Sequence, residues 1–318
     1  MEGTGNQEAA MKAISVEGLI KNYSSVRAVD RIDFDVGAGE IFGMLGPNGA
    51  GKTTTIECIE GLRNPDGGTI RVLGLDPQRE GYELRERIGV QLQATALYER
   101  IRVREALKLF ASFYRARSPW ADDWEKLIEP LGLADKMSSY YHTLSGGQKQ
   151  RLHIALALVH DPEILFLDEL TTGLDPQARR AMWQLIKEIR DRGKTVFLTT
   201  HYMEEAEQLC DRVAILDHGR ILALDSPADL IASLGGENRI LFTLEDPYDV
   251  DCFQEIPHVS RVERIDSQVA LYSSQSSKVL LELIKRADVS GWSLHDLHVQ
   301  RATLEDVFLT LTGRALRE

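Results

Sequence analysis

A chain that carries Gly46-Pro47-Asn48-Gly49-Ala50-Gly51-Lys52-Thr53-Thr54 has few folds open to it. The stretch matches Gly-x4-Gly-Lys-Ser/Thr in full, a pattern that works between a strand and a helix. The apolar run Ile41 to Leu45 predicts the strand, and Lys52 to Ile59 predicts the helix. Small residues let backbone N–H groups converge on a polyanion. The helix adds its positive dipole end, roughly half an elementary charge, to the same anion. Lys52 is placed to reach the β- and γ-phosphates, and the Thr53 hydroxyl to ligate Mg²⁺. The expected ligand is a nucleoside triphosphate with Mg²⁺.

Other classes recede on composition. The chain has 318 residues, room for roughly two domains, and 43% hydrophobic residues, enough for a sizeable core. A net charge of −12 argues against a global basic face, so nucleic acid is not an expected partner. Cys58, Cys210 and Cys252 are far apart, which argues against zinc and a disulfide framework and fits a reducing cytosol. Met1 to Ala10 lacks the basic and apolar regions of a secretory signal. The longest apolar runs, such as Ile154 to Val159, are core-sized rather than membrane-sized.

Along the chain, residues 1–12 read as a flexible tail. Ile14 to Tyr23 is a first strand, and Ile32-Asp33-Phe34-Asp35-Val36 alternates apolar with acidic residues, as a half-buried strand does. An antiparallel β layer is therefore expected ahead of the phosphate loop. Asn64-Pro65-Asp66-Gly67-Gly68 forms a turn. The strands Thr69 to Leu73 and Ile88 to Gln93 follow, with a small helix closing at Arg85 to Arg87 between them. Val103 to Arg115 and Asp122 to Leu131 have helical period and form an insertion. In the first of these, Leu107, Phe110, Ala111 and Tyr114 make a stripe read as core first and partner surface second.

Glu163 to Glu169 is a strand apolar on both faces, which belongs in the middle of a parallel sheet. Pro176 to Arg190 is a helix capped by Asp175. Thr195 to Thr200 is a further buried strand, and Val213 to Leu216 with Arg220 to Leu224 a terminal hairpin. Composition shifts at Gly235-Gly236. Beyond it, strands at Ile240 to Leu244, Val259 to Ile265 and Val269 to Tyr272, and helices at Ser277 to Ala287 and Thr303 to Leu311, predict a small α+β domain over 235–318.

Three further features carry chemistry. Asp168 sits at the carboxyl end of its strand, where ligands bind in open α/β sheets, and reads as a Mg²⁺-directed carboxylate. Glu169 follows it, placed to orient or deprotonate an attacking water. His201 ends a neighbouring strand at the same sheet edge, where a neutral imidazole can bond the γ-phosphate or the lytic water. Leu144-Ser145-Gly146-Gly147-Gln148-Lys149-Gln150-Arg151 opens another helix and so makes a second anion-binding terminus.

Gly46 to Thr54, Leu144 to Gln148, Ile164 to Glu169 and His201, in this order, resemble the ATP-binding cassette (ABC) ATPase of ABC transporters. The resemblance covers roughly Ile14 to Leu234, with a helical subdomain over about 94–160 inside a nucleotide-binding domain of 13–234. It implies an α/β P-loop core, a mixed sheet with an antiparallel β layer, followed by the small α+β domain. By the same resemblance Tyr23 stacks on adenine, Gln93 senses Mg²⁺ and couples to the membrane partner, and Asp175 crosses a dimer interface. The family further implies a head-to-tail dimer, in which Ser145, Gly147 and Gln148 of one chain complete the ATP site built on Lys52 of another. Leu170 stands where members commonly have Pro, and Ala94-Thr95 replaces a frequent Glu-Pro.

Ala302 to Gly313, with Leu304, Val307, Phe308 and Leu311 on one helical face, resembles the ending of daunorubicin-resistance-type exporter ATPases. The whole implies a cytosolic ATPase subunit that drives a separate integral-membrane permease and lies at the inner face of the cell membrane through it. A cassette ATPase of translation or DNA repair is the alternative.

Overall fold

The computed structural model describes residues 12–91, 97–114, 124–233, 238–244, 250–265 and 268–312. The chain opens with two long strands, β1 (Lys12–Tyr23) and β2 (Val26–Gly37), and then β3 (Ile41–Leu45) leads into helix α1 (Lys52–Ile59). Strand β4 (Gly67–Val72), helix α2 (Gly81–Arg87) and strand β5 (Ile88–Gln91) follow. The insertion contributes α3 (Val103–Tyr114) and α4 (Gly146–Leu158). The remainder of the core alternates: β6 (Ile164–Asp168), α5 (Pro176–Asp191), β7 (Thr195–Thr200), α6 (Met203–Leu209), β8 (Arg212–Asp217) and β9 (Arg220–Asp225).

Two sheets result. The antiparallel layer has the order β2-β1-β4, and the second sheet runs β5-β6-β7-β3-β8-β9. In the latter every pairing is parallel except the β8–β9 hairpin. The expected mixed sheet with its antiparallel layer is what forms. β3, β6 and β7 are buried at every position, as the apolar runs require of strands covered on both faces. Phe34 from the antiparallel layer stacks on Phe42 of β3 with ring centroids 5.4 Å apart, and Phe42 lies 5.4 Å from Phe197 of β7. This aromatic column joins the two sheets into one core.

The chain divides between Ser226 and Pro227 into two compact units. In the second unit, α7 (Pro227–Ser233) precedes β10 (Asn238–Leu244), β11 (Arg261–Ile265), β12 (Gln268–Ser273), α8 (Ser276–Ser290), β13 (Leu294–Gln300) and α9 (Leu304–Thr312). Its antiparallel sheet has the order β11-β12-β10-β13, packed through Ile240, Phe242, Phe253, Leu271, Val279 and Leu283. The composition break at Gly235-Gly236 falls outside the described residues. α7, ahead of it, packs on α9 within the second unit.

Two expectations change. Residues 124–127 of the expected Asp122–Leu131 helix form a short 3-10 helix. Pro130 disfavours helical backbone at Glu129, and Gly132 turns the chain at φ 62. The structure also adds β13, an edge strand whose residues are half or fully exposed, so no apolar alternation announces it. Among the described residues no helix is long and apolar enough to cross a membrane.

Candidate functional site: the end of the parallel sheet

The phosphate-loop segment arches from the end of β3 to the start of α1. Two of its glycines are sterically required. A Cβ on Gly46 would sit 2.2 Å from the Leu216 carbonyl oxygen, and one on Gly51, at φ 108, would sit 2.4 Å from that of Ala28. Gly51 is also the N-cap of α1, so this helix begins with no side-chain cap and no acidic residue in its first turn. Its leading N–H groups are thereby left to an external acceptor, and its dipole end favours an anion.

Lys52 doubles back beneath the loop. Its ammonium donates to the Gly46 carbonyl (2.8 Å) and the Pro47 carbonyl (3.2 Å), and lies 3.4 Å from Glu169 Oε1. The side chain is only 4% exposed. Burial pushes its pKa down, and Glu169 pulls it back up. A buried ammonium sharing one carboxylate suits a site that receives further negative charge.

Asp168 ends β6 and is buried. Parallel pairing sets Thr199 of β7 directly beside it, and the Thr199 hydroxyl donates to Asp168 Oδ1. The Thr53 hydroxyl donates to Oδ2 at 3.3 Å. Burial raises the Asp168 pKa, Thr199 opposes this, and the neighbouring Glu169 adds to it. A hydroxyl and a carboxylate converging here form a hard oxygen donor set, and this fits Mg²⁺. The third expected ligand, Gln93, lies outside the described residues.

Glu169 adopts φ 47, a left-handed backbone that only a supporting context holds in a residue with a Cβ. The support is its N–H, which donates to the Thr199 carbonyl and hydroxyl oxygens, each at 3.2 Å. This turn directs the carboxylate toward Lys52 on one side and His201 on the other, whose Nδ1 is 3.4 Å from Glu169 Oε1. The structure therefore brings Lys52, Thr53, Asp168, Glu169 and His201 to one sheet end. Thr199, which bonds both carboxylate residues, reads in the sequence only as part of a buried strand. Its sequence signal is its place near the end of a strand bound for the middle of the sheet.

The other sequence-predicted residues stand apart from this cluster or serve their own elements. Tyr23 is exposed at the end of β1, with the Arg63 guanidinium 5.5 Å and the Lys21 ammonium 5.7 Å from its ring centroid. Asp175 caps α5 by accepting from the Ala178 N–H at 2.8 Å. Ser145 and Gln148 form a reciprocal capping box. The Ser145 hydroxyl accepts from the Gln148 N–H (3.3 Å), and Gln148 Oε1 accepts from the Ser145 N–H (3.0 Å). Gly147 faces α5, where a Cβ would meet that of Ala178 at 3.6 Å. Leu170, in the place of the common Pro, is buried.

A second concavity lies between α3, α4 and the end of α1. Its volume is about 230 Å³, and Glu60, Phe110, Tyr114, His153, Leu156 and His160 are among its lining residues. Of the α3 stripe, Leu107 and Ala111 are buried core, while Phe110 and Tyr114 face this cavity. Tyr114 stacks on His160 with centroids 3.9 Å apart and rings 6° from parallel.

The chain matches the ABC transporter family model over residues 29–172. It is 41% identical over 314 residues to a Nod factor export ATP-binding protein of Paraburkholderia xenovorans, covering 96% of this chain and 99% of the relative. It is 39% identical over 316 residues to the daunorubicin/doxorubicin resistance ATP-binding protein of Streptomyces peucetius, covering 95% and 93%. Among solved structures, an ATP-binding subunit of an ABC transporter superposes with a TM-score of 0.63 at 30% identity, covering 70% of this chain and 93% of that one. With the phosphate loop, the paired carboxylates and kinship over nearly its whole length, the chain belongs to the ABC transporter family, as one of its ATP-binding, ATP-hydrolysing members.

Proposed function

We infer that this chain is the ATP-hydrolysing subunit of an exporter, powers a separate integral-membrane permease, and works with a second copy of itself. The observation that carries the reading is the buried Lys52 ammonium between the loop carbonyls and Glu169, with the Thr53 and Asp168 oxygens converging beside it. Export enters through kinship: the full-length relatives are named for export or drug resistance, which favours this reading over translation or DNA repair.

Each residue has a task in this reading. The backbone of Gly46 to Thr54 holds the phosphates of ATP, Lys52 exchanges its contact with Glu169 for the β- and γ-phosphates, and Tyr23 stacks on the base. Thr53, Asp168 and Gln93 hold Mg²⁺, which when bound neutralises phosphate charge. Glu169, released from Lys52, polarises the attacking water, and His201 contacts the γ-phosphate. Ser145, Gly147 and Gln148 of the second copy close the site, and Asp175 lies at the interface. Exclusion of water then strengthens every charge interaction inside. The cavity between α3 and α4, apolar along Phe110 and Leu156, is the surface offered to the permease, which holds the chain at the inner face of the membrane.

The test is Glu169→Gln. The variant keeps ATP binding, loses turnover and accumulates as an ATP-bound pair on size-exclusion chromatography. Hydrolysis at the parent rate would refute the assignment of Glu169.

A further inference from the structure

His201 lies against an aromatic ring. Its Nδ1 is buried and has no hydrogen-bond partner, and the approach to Glu169 Oε1 is 3.4 Å and unaligned. The imidazole packs against Tyr202, whose tilted ring has its centroid 4.2 Å away at an interplanar angle of 41°. The Arg179 guanidinium lies over the Tyr202 ring, 4.2 Å from its centroid. Arg179 Nε is buried without a hydrogen-bond partner, so this nitrogen is held by the aromatic contact rather than by an acceptor.

Both ends of this chain of contacts are anchored. Tyr202 caps α6, and its N–H donates to the Thr200 hydroxyl at 3.0 Å. Arg179 lies in the first turn of α5, where its N–H donates to the Asp175 carbonyl at 2.9 Å. One turn further along α5, Trp183 Nε1 donates to the buried Glu205 of α6 at 3.0 Å. That second rung ties the two helices to each other beside the Arg179–Tyr202 contact.

We propose that Tyr202 and Arg179 are positioning residues that set the orientation of His201 and link it to the Asp175 end of α5. The inference rests on the reading of His201 as the γ-phosphate contact. A ring-to-ring contact orients an imidazole without consuming its nitrogens, which leaves both for the phosphate, the water or Glu169. When the Asp175 segment is displaced, the cation moves and the imidazole turns with it.

The experiment measures steady-state Mg·ATP hydrolysis by the full chain carrying Tyr202→Ala, Tyr202→Phe, Arg179→Met or the pair Arg179→Met/Tyr202→Ala. Misplacing a reacting group costs on the order of 10- to 100-fold, so Tyr202→Ala and Arg179→Met lower kcat by at least about 10-fold. KM for ATP holds, because the phosphate loop and Tyr23 are untouched. Tyr202→Phe, which keeps the ring face, retains kcat, and the double variant is no slower than Tyr202→Ala alone, as members of one chain of contacts behave. Arg179→Met is half-exposed and keeps the test alive if Tyr202→Ala loses its fold. Parent-like kcat in Arg179→Met, a slow Tyr202→Phe, or multiplicative losses in the double variant would overturn the proposal. A His201→Ala variant that hydrolyses at the parent rate would instead overturn the underlying reading of His201.

Discussion

Glu60 is the most informative residue outside the sheet end, and Glu60→Gln makes a quantitative test. It caps the C-terminus of α1, is 2% exposed, and its Oε2 has no hydrogen-bond partner. Burial, with the charges of Asp168 and Glu57 adding to it, pushes its pKa from 4.5 up to about 8. The helix C-terminus also disfavours a negative charge. Below pH 4.5 the carboxyl is neutral in the folded and unfolded chains alike and has no pH-dependent effect. Between 4.5 and about 8 the unfolded chain ionises while the folded chain keeps its proton, so stability falls with rising pH. The slope is ~1.4 kcal/mol per pH unit, which reaches about 3 kcal/mol by pH 7. Gln retains the shape and the unpaired atom but cannot ionise. The variant therefore gains on the parent progressively, by roughly 6–12 °C in melting temperature at pH 7 for a unit of this size. Calorimetric melts at pH 5, 6, 7 and 8 with a chelator present check this. The comparison must be variant minus parent, because burial also lowers the His160 pKa to about 4 and adds an opposite slope below pH 6.5 in both proteins. A difference in melting temperature that is flat across this range would refute the argument that Glu60 is held protonated.

Lys52→Ala should weaken ATP binding by at least about tenfold in equilibrium titrations, since hydrogen bonds to charged groups are worth ~1.5–3 kcal/mol each. Thr199→Val removes the hydroxyl that donates to Asp168 and accepts from the Glu169 N–H. The Mg²⁺ concentration for half-maximal hydrolysis should rise ~10-fold or more, as with other partners of metal ligands, while nucleotide affinity without Mg²⁺ stays at the parent value. Phe110→Asp places a charge in the cavity between α3 and α4. Co-purification with the permease should be lost while ATP hydrolysis by the isolated chain is kept, and retained co-purification would remove that cavity from the partner surface.

Features that live on one strand or one turn were legible in the sequence. The phosphate loop and the two-sided apolar runs of β3, β6 and β7 each predict their own element, and the required glycines lie inside the motif itself. What the sequence hid depends on sideways contact. Thr199 acquires its role because β6 and β7 pair in a register that sets it beside Asp168. Glu60 is a charged residue just past the end of a helix, yet it follows the buried Cys58 and Ile59 of α1 into the interior. Tyr202 and Arg179 meet only because α5 and α6 lie side by side. β13 carries no apolar alternation because an edge strand needs no buried face.

The two helix termini that the sequence presents as equivalent anion sites are built differently, and the difference bears on how a pair would close. α1 begins at a glycine without a side-chain cap, so phosphate meets N–H groups that nothing else occupies. α4 begins at Ser145 with its capping box already complete. Such a cap is worth ~1 kcal/mol to its own helix, and a hydrogen bond to a charged group adds ~1.5–3 kcal/mol. In the proposed pair the Ser145 oxygen keeps its cap by accepting from the Gln148 N–H, and its O–H, which the cap does not use, donates to the γ-phosphate of the facing copy. Without nucleotide that O–H has no anion to meet, and in the proposed pair one driving force for closure disappears. In the proposed pair, a capped terminus opposite an open one thus keeps its helix start fixed while offering a hydroxyl donor that only bound ATP can use.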